Sequence, residues 1–464
     1  MKPVIHPRSL VWLLLGFLFL ISLGSCSGPA RPAGPTVEPE LVPRTMTFPG
    51  YAAVKVECWG HRKSILLLET LQTQTLVTMP QRKLVWLDEE LKTLKEYLPP
   101  VGSFLIDFAV HPSGAATALE ILPEPGNDLF LKPLKARLTR FLTDGSLSMY
   151  ALESGILPVV GGNPAFLFSL DRARIVPFGE ESRVVMRWSD NSVHAYSLTY
   201  QSGTWGMSWD TVIEPPANLY PTGIIGGGFD NFHQGDRVCF VYLDVDETGA
   251  SYVVVPSTVD VLPAHDSFFH ESLLSGADEG HFDYGVSIIT KLSPGGARTY
   301  STLSGLGTNK RLLNVRSTSQ AFYLTGRIRT GNLPQDWDSW VMAFDRSTGR
   351  ALAEYSIDIQ DGDMFWDLVP LDGSLLAVGS TNYTQNPSGL SVSDQRDNLA
   401  VVVDPSGVIQ KRLFLPPGPE GRGNEVVSVK VVDGHWAIFA GLNNAPGTHA
   451  PVFSDAFVSV RSLD

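Results

Sequence analysis

The C-terminal third of the chain repeats itself, and that repeat constrains the fold more than any other feature. Three short apolar runs end at glycine: Phe322 to Gly326, Leu376 to Gly379 and Ile438 to Gly441. After a polar stretch each is followed by an aspartate-led apolar run, beginning at Asp338, Asp397 and Asp455, and these aspartates lie 59 and 58 residues apart. Self-similarity at such a period marks an architecture of stacked units that bury their faces against one another.

Within one unit the pieces read as strands. Phe365 to Val369, Leu375 to Ser380, Leu399 to Val403 and Val408 to Leu415 are separated by Asp372-Gly373, a long polar loop, and Asp404 to Gly407. Glycine supplies positive φ and proline presets φ, so antiparallel neighbours can follow directly. Each unit is therefore a predicted four-stranded meander. Upstream, the strand, turn, strand motif recurs at Leu84 to Tyr97, Arg137 to Gly145, Val184 to Ser192 and Ser287 to Gly296. Asp88 to Leu98 also has helical spacing, through Leu91, Leu94 and Leu98, but repetition elsewhere favours strand.

Composition agrees: 43 glycines and 33 prolines with only 18% charged residues suit many short strands. A period near 59 over residues 46–464 gives about seven units, and four-stranded antiparallel units of this size form propeller blades. The expectation is an all-β chain, a β-propeller of seven blades with eight as the alternative, since Ile224 to Leu303 reads as one blade or two. A solenoid would leave open ends, whereas the last unit stops after its third strand, at Leu463. A strand from the N-terminus, around Val54 to Cys58, is expected to close the ring.

These units resemble the repeat propellers of secreted bacterial proteins, in which a glycine-ended strand precedes an Asp-led strand and a glycine turn. Ala343 to Arg350 also resembles one repeat of the quinoprotein-like propellers. The tryptophan that usually ends that repeat is absent, with Tyr355 near its place.

The N-terminus carries an address. Lys2 and Arg8 precede an apolar stretch from Leu10 to Ile21, then Leu23-Gly24-Ser25-Cys26, which is the plan of a signal peptide over residues 1–25. The stretch is shorter than the roughly 20 residues needed to span a bilayer. Leu23 to Cys26 resembles the lipobox of bacterial lipoproteins, which implies acylation at Cys26. Residues 26–45 contain five prolines among small and acidic residues. If polyproline-like, this tether extends at about 3.1 Å per residue and reaches roughly 50 Å. Residues 46–464 are the expected propeller, with an insertion near 258–283.

The formal charge of −13 becomes −15 when Lys2 and Arg8 leave with the leader, which argues against nucleic acid or an anionic membrane face as partner. Cys58 and Cys239 each sit beside an aromatic residue in an apolar run and read as core residues, with a disulfide as the alternative.

Loops joining second and third strands run long, at Arg327 to Trp337, Thr381 to Arg396 and Leu442 to Ser454, while turns joining third and fourth strands are tight. Long loops on a rigid scaffold are where binding is usually placed. Trp337, Tyr383, Asn443, Asn444, His449 and Phe453 supply aromatic anchors and adaptable polar groups there, suited to a protein or glycan. Trp337 and Phe453 read equally well as packing between blades. Trp205, Trp209, Trp340, Trp366 and Trp436 read as core.

His265, His270, His281 and Asp283 lie close enough in sequence to hold a divalent metal, in no standard spacing; the bland reading is a solvated acidic loop. Asp244 to Gly249 begins like a calcium loop, but Val255 stands where its last acidic ligand belongs, so a hairpin turn is expected. No Gly-x-Ser-x-Gly is present, and Gly226-Gly227-Gly228 lacks the lysine of a phosphate loop. No cofactor is called for. The expectation is a lipid-anchored envelope or surface propeller that binds or scaffolds; the alternative is a hydrolase or lyase working in the central channel, marked by ionisable groups converging there from several blades.

Overall fold

The computed structural model describes residues 44–60, 62–70, 81–101, 103–122, 135–155, 173–188, 192–213, 219–221, 241–259, 285–307, 310–330, 337–360, 362–381, 397–413, 415, 424–443 and 455–463. Every regular element among them is a strand. β1 (Arg44–Pro49) pairs with the far end of the chain. Blade 1 is β2 (Tyr51–Trp59), β3 (Lys63–Thr70), β4 (Arg82–Leu87) and β5 (Thr93–Tyr97). Blade 2 is β6 (Phe104–Val110), β7 (Ala116–Leu122), β8 (Lys135–Phe141) and β9 (Leu147–Leu152). Blade 3 is β10 (Ala173–Phe178), β11 (Glu181–Arg187), β12 (Val193–Gln201) and β13 (Thr204–Ile213). Blade 4 holds β14 (Leu219–Pro221), β15 (Tyr242–Val245), β16 (Ser251–Val259), β17 (Gly285–Leu292) and β18 (Arg298–Gly307).

Blade 5 is β19 (Lys310–Ser317), β20 (Phe322–Arg329), β21 (Trp337–Phe344) and β22 (Ala351–Ile357). Blade 6 is β23 (Met364–Leu371), β24 (Ser374–Thr381), β25 (Asp397–Val403) and β26 (Ile409–Arg412). Blade 7 is β27 (Asn424–Val432), β28 (Trp436–Asn443), β29 (Asp455–Ser462) and, as its fourth strand, β1. The chain is a seven-bladed β-propeller.

Packing between blades closes the ring. Ile65 and Phe108 share a core between blades 1 and 2, Leu138 and Met186 between 2 and 3, and Val185 and Val253 between 3 and 4. Tyr252 and Trp340 do so between 4 and 5, Tyr323 and Phe365 between 5 and 6, and Leu376 and Phe439 between 6 and 7. Val56, Leu66, Ile438 and Val458 join blade 7 to blade 1. Each fully buried side chain of this kind contributes roughly 1.5–3 kcal/mol, so the hydrophobic term is distributed around the whole circle.

The closing strand differs from the expected one. Val54 to Cys58 lies in β2, the innermost strand of blade 1, where Ala53 and Val56 are fully buried. Closure falls instead to β1, which runs antiparallel to β29 from Arg44 opposite Val460 to Pro49 opposite Asp455. The physical reason is coverage. An innermost strand is packed on both faces and takes the more apolar run, whereas an edge strand needs little, and only Phe48 of β1 is buried.

Ile224 to Leu303 makes one blade. Its innermost position is split, with β14 pairing to the Ser257–Val259 end of β16 and β15 to the Ser251–Val254 end. At the break, Arg187 Nη1 of blade 3 donates to the Pro256 carbonyl at 2.9 Å.

Tight turns end the third strands on one face. Asp345 Oδ1 accepts the Ser347 and Thr348 amides at 2.9 and 2.8 Å, and Asp404 Oδ1 accepts those of Ser406 and Val408 at 2.8 and 3.0 Å. The alternative helix over 88–98 is absent for the same reason: Asp88 Oδ1 takes the Glu90 and Lys92 amides and turns the chain into β5. Turn glycines also seat the preceding blade. A Cβ built on Gly407, at φ 89°, would come within 2.4 Å of the Tyr355 ring, and Gly349 stands likewise under Tyr300 and Gly296 under Trp209. Asp244 to Gly249 is the expected hairpin, with Asp246 Oδ1 accepting the Thr248 and Ala250 amides.

Strand direction sorts the connections into two faces. Turns joining strands one to two and three to four share the short-turn face. Connections two to three and four to one share the other, and include 123–134, 260–284, 382–396 and 444–454.

Candidate functional site: a charged belt around the propeller axis

Five innermost strands shift register once, between Ala53 and Lys55, Leu105 and Asp107, Leu312 and Asn314, Phe365 and Asp367, and Val426 and Ser428. An extra residue at such a bulge re-aims the next side chain. That next residue is Lys55, Asp107, Asn314, Asp367 or Ser428, polar each time, and together they begin a belt near the axis.

Asp107 and Asp367 occupy this position in the same way. Each caps its own following amide through Oδ1, Phe108 N at 2.8 Å and Leu368 N at 2.8 Å. Each takes an amide of the next blade on Oδ2, Ile175 N and Val429 N, both at 3.1 Å. A cation from the preceding blade completes the contact. Lys55 Nζ donates to Asp107 Oδ1 at 2.9 Å and to the Phe108 carbonyl at 2.7 Å; Arg316 reaches Asp367 Oδ1 at 2.9 Å and the Leu368 carbonyl at 3.1 Å. Asn314 Nδ2 adds a bond to Asp367 Oδ1 at 2.8 Å. Charge-assisted bonds to buried backbone are the strong kind, so these carboxylates tie three blades at a time.

A second layer stands two residues further along. Glu57 pairs with Lys430 of blade 7 at 2.9 Å and with Lys55 at 3.5 Å. Burial works against the Glu57 charge, but Lys430 and Lys55 outweigh it and hold the carboxyl below its usual range. Asp244 of blade 4 accepts the Ser317 amide of blade 5. Burial pushes the Asp244 carboxyl up in spite of Arg316 and Lys430. For Arg316, burial is overcome by Asp367, Asp244 and Glu57, which keep the guanidinium more firmly charged than usual. These groups come from blades 1, 4, 5, 6 and 7, and their fields overlap at the axis.

Towards the long-loop face the belt gives way to an apolar set: Leu313, Met364 and Trp366, with Val427 against them. The Trp366 indole N–H donates to Glu425 at 3.2 Å. Chemically, the belt holds one carboxyl below its usual range and another above it, within a shared set of cations.

Of the residues singled out by sequence, Trp337 opens β21 at the long-loop face, half-buried, with the Arg327 guanidinium 4.3 Å from its ring centroid. Asn443 ends β28 on the same face, 7% exposed. They stand on blades 5 and 7 with blade 6 between. Tyr383, Asn444, His449 and Phe453 lie outside the described residues, as do Cys26, Cys239 and the metal candidates His265, His270, His281 and Asp283. Among the described residues no group of three His, Cys, Asp or Glu is placed to hold a metal ion. Cys58 is a free thiol whose pKa burial raises to about 12. Of the five tryptophans expected in the core, Trp340 and Trp366 are buried, while Trp205, Trp209 and Trp436 are half-buried against cores between blades.

The belt itself escapes sequence reading. Its one legible signal is a charge inside an otherwise apolar first strand, as in Val54-Lys55-Val56-Glu57 and Val427 to Lys430.

No protein-family model matches the chain, and no curated protein sequence does. Solved structures similar to it include a Bacteroides caccae protein of unknown function, at 12% identity and TM-score 0.36 over 71% of this chain and 89% of that one. An acylaminoacyl peptidase in complex with Z-Gly-Gly-Phe-chloromethyl ketone matches at 9% and 0.40, over 73% of this chain and 43% of that one. Polysaccharide lyase Uly1 matches at 7% and 0.40, over 88% and 90%. This chain spans less than half of the peptidase's length, and values this low assign it no activity.

Proposed function

We propose that the protein is a lipid-anchored propeller of the bacterial envelope or cell surface that binds a protein or glycan partner through its long-loop face. The observation that carries this reading is the asymmetry of the connections. One face is closed by short, internally bonded turns such as Asp404 to Val408, while 260–284, 382–396 and 444–454 all depart from the other. Trp337 presents a half-buried ring on that face. The belt supports the same reading, because Asp107 and Asp367 spend their oxygens on neighbouring blades at equivalent positions, as a structural tie does. Acylation at Cys26 supplies the anchor.

Photo-crosslinking tests it. A photoreactive residue in place of Trp337 is expected to capture a partner in intact cells, and one in place of Ser319, on the short-turn face, is not. Equal capture from both positions would remove the face assignment. A second reading, a channel hydrolase or lyase, would draw on Glu57 and Asp244, carboxyls that blades 1 and 4 both bring into the belt. Its check is turnover of glycan or peptide substrates that Glu57→Gln and Asp244→Asn both abolish in folded protein.

A further inference from the structure

Lys310, Asp363 and Asn424 hold equivalent places in blades 5, 6 and 7. Each stands two residues before the one that faces a strand-ending glycine: Leu312 opposite Gly326, Phe365 opposite Gly379 and Val426 opposite Gly441. The repeat is kept around this place and broken at it. Lys310 pairs with Glu354 at 2.5 Å, Asn424 Oδ1 has no partner among the described residues, and Asp363 is fully buried.

Asp363 gathers three segments. Its amide donates to the Trp337 carbonyl at 2.5 Å, where β21 begins. Oδ2 accepts the Ile359 and Gln360 amides at 2.5 and 3.0 Å, and Oδ1 accepts the Thr381 hydroxyl at the end of β24. Gly362, at φ 69°, makes the turn into Asp363 in a conformation that favours glycine. Trp337, 358–360 and Thr381 all lie at the long-loop face, where Asp358 and Gln360 are exposed.

From this junction we infer that Asp363 is a positioning residue of the binding face, holding Trp337 and the segment 358–360 in one arrangement before a partner arrives. The inference rests on the long-loop reading proposed above and deepens it, by placing the contact over the seam of blades 5 and 6. One feature separates this carboxyl from a general tie. Asp107 and Asp367 repeat one another and join blades near the axis, whereas Asp363 differs from its equivalents in blades 5 and 7 and fastens the long-loop side. A contact surface held beforehand in its bound arrangement lowers the ordering cost of association.

Fluorine NMR of the full chain carrying 5-fluorotryptophan tests the positioning without a partner. The Trp337 signal is identified by its loss in Trp337→Phe. In folded Asp363→Ala it is expected to shift or broaden by more than its linewidth, while the signals of Trp86 and Trp209 in other blades stay in place. Asp363→Asn keeps an acceptor for the two amides and is expected to restore it. An unmoved Trp337 signal in Asp363→Ala, or no restoration in Asp363→Asn, overturns the inference. Should Asp363→Ala not fold, Thr381→Val removes the hydroxyl bond alone, and the same shift or its absence decides. Photo-crosslinking from position 360 then reads the binding: capture is expected to be lost in Asp363→Ala and regained in Asp363→Asn, and undiminished capture overturns the positioning. No capture in the otherwise wild-type chain tells against the long-loop reading instead, so the two failures are distinguished.

Discussion

Asp107 in blade 2 and Asp367 in blade 6 make the same set of contacts: own amide, next blade's amide, preceding blade's cation. Two carboxylates so far apart in the ring, each at a bulge of its innermost strand, mark a repeated device for holding blades together at the axis.

Removing that device should weaken the fold sharply. Asp367→Ala strands the Arg316 guanidinium and the Val429 amide in a buried setting, and losing one partner of a buried pair costs about 3–5 kcal/mol. Urea unfolding should show a lower midpoint with an unchanged slope, and Asp107→Ala should behave in parallel. A midpoint within error of wild type for both would contradict the tie.

The turn glycines make a sharper comparison. Gly407 and Gly373 both have positive φ, but only Gly407 has an aromatic ring against it. Gly373→Ala should cost about 1 kcal/mol, the backbone term alone. Gly407→Ala should cost about 1–3 kcal/mol more through overpacking on Tyr355. Combining it with Tyr355→Ala should recover part of that excess in a double-mutant cycle; strict additivity would deny the contact.

Two buried groups should give the stability opposite slopes with pH. His111 donates from Nδ1 to the Gly179 carbonyl and accepts the Thr117 hydroxyl on Nε2, and burial, with Arg140 nearby, lowers its pKa to about 4. Its folded value lies below the unfolded 6.5, so its contribution is complete above pH 6.5 and is lost as pH falls towards 4, by about 3 kcal/mol in all. His111→Gln should flatten stability across that window. Asp244 runs the other way: its folded pKa lies above the unfolded value, so it weakens the fold as pH rises through that interval. Asp244→Asn keeps an acceptor for Ser317 and should raise the denaturation midpoint at neutral pH, with the gain vanishing in acid.

Closure by β1 should be separable from the rest of the ring. Deleting residues 44–49 uncovers the edge of β29 and the Phe48 contact with blade 7, so limited proteolysis should cut first in blade 7. A peptide spanning Arg44 to Pro49, added in excess, should restore protection. Cleavage spread evenly over the blades would argue that β1 is not the closure.

Much of this architecture was legible because it is local. Runs at 365–369, 375–380, 399–403 and 408–415 fall on strands Met364–Leu371, Ser374–Thr381, Asp397–Val403 and Ile409–Arg412, since short apolar runs and the aspartate and glycine turns between them act within a few residues. The closing strand was misread because hydropathy ranks Val54 to Cys58 above Arg44 to Pro49, while closure depends on chain order. The belt was hidden for a related reason. Lys55 with Glu57, Asp244, Arg316, Asp367 and Lys430 lie on the first strands of five blades, far apart in sequence, and only the ring brings those strands to one axis.

Where the partner binds separates the long-loop face from the axis. Once crosslinked from position 337 and identified, that partner can be titrated against the wild-type chain and against variants with 331–336, 382–396 or 444–454 replaced by Gly-Ser-Gly. At least one replacement should raise Kd tenfold or more, about 1.4 kcal/mol, at unchanged melting temperature. Wild-type affinity in all three, with binding lost instead in Glu57→Gln or Lys430→Met, would contradict the account and move the site to the axis.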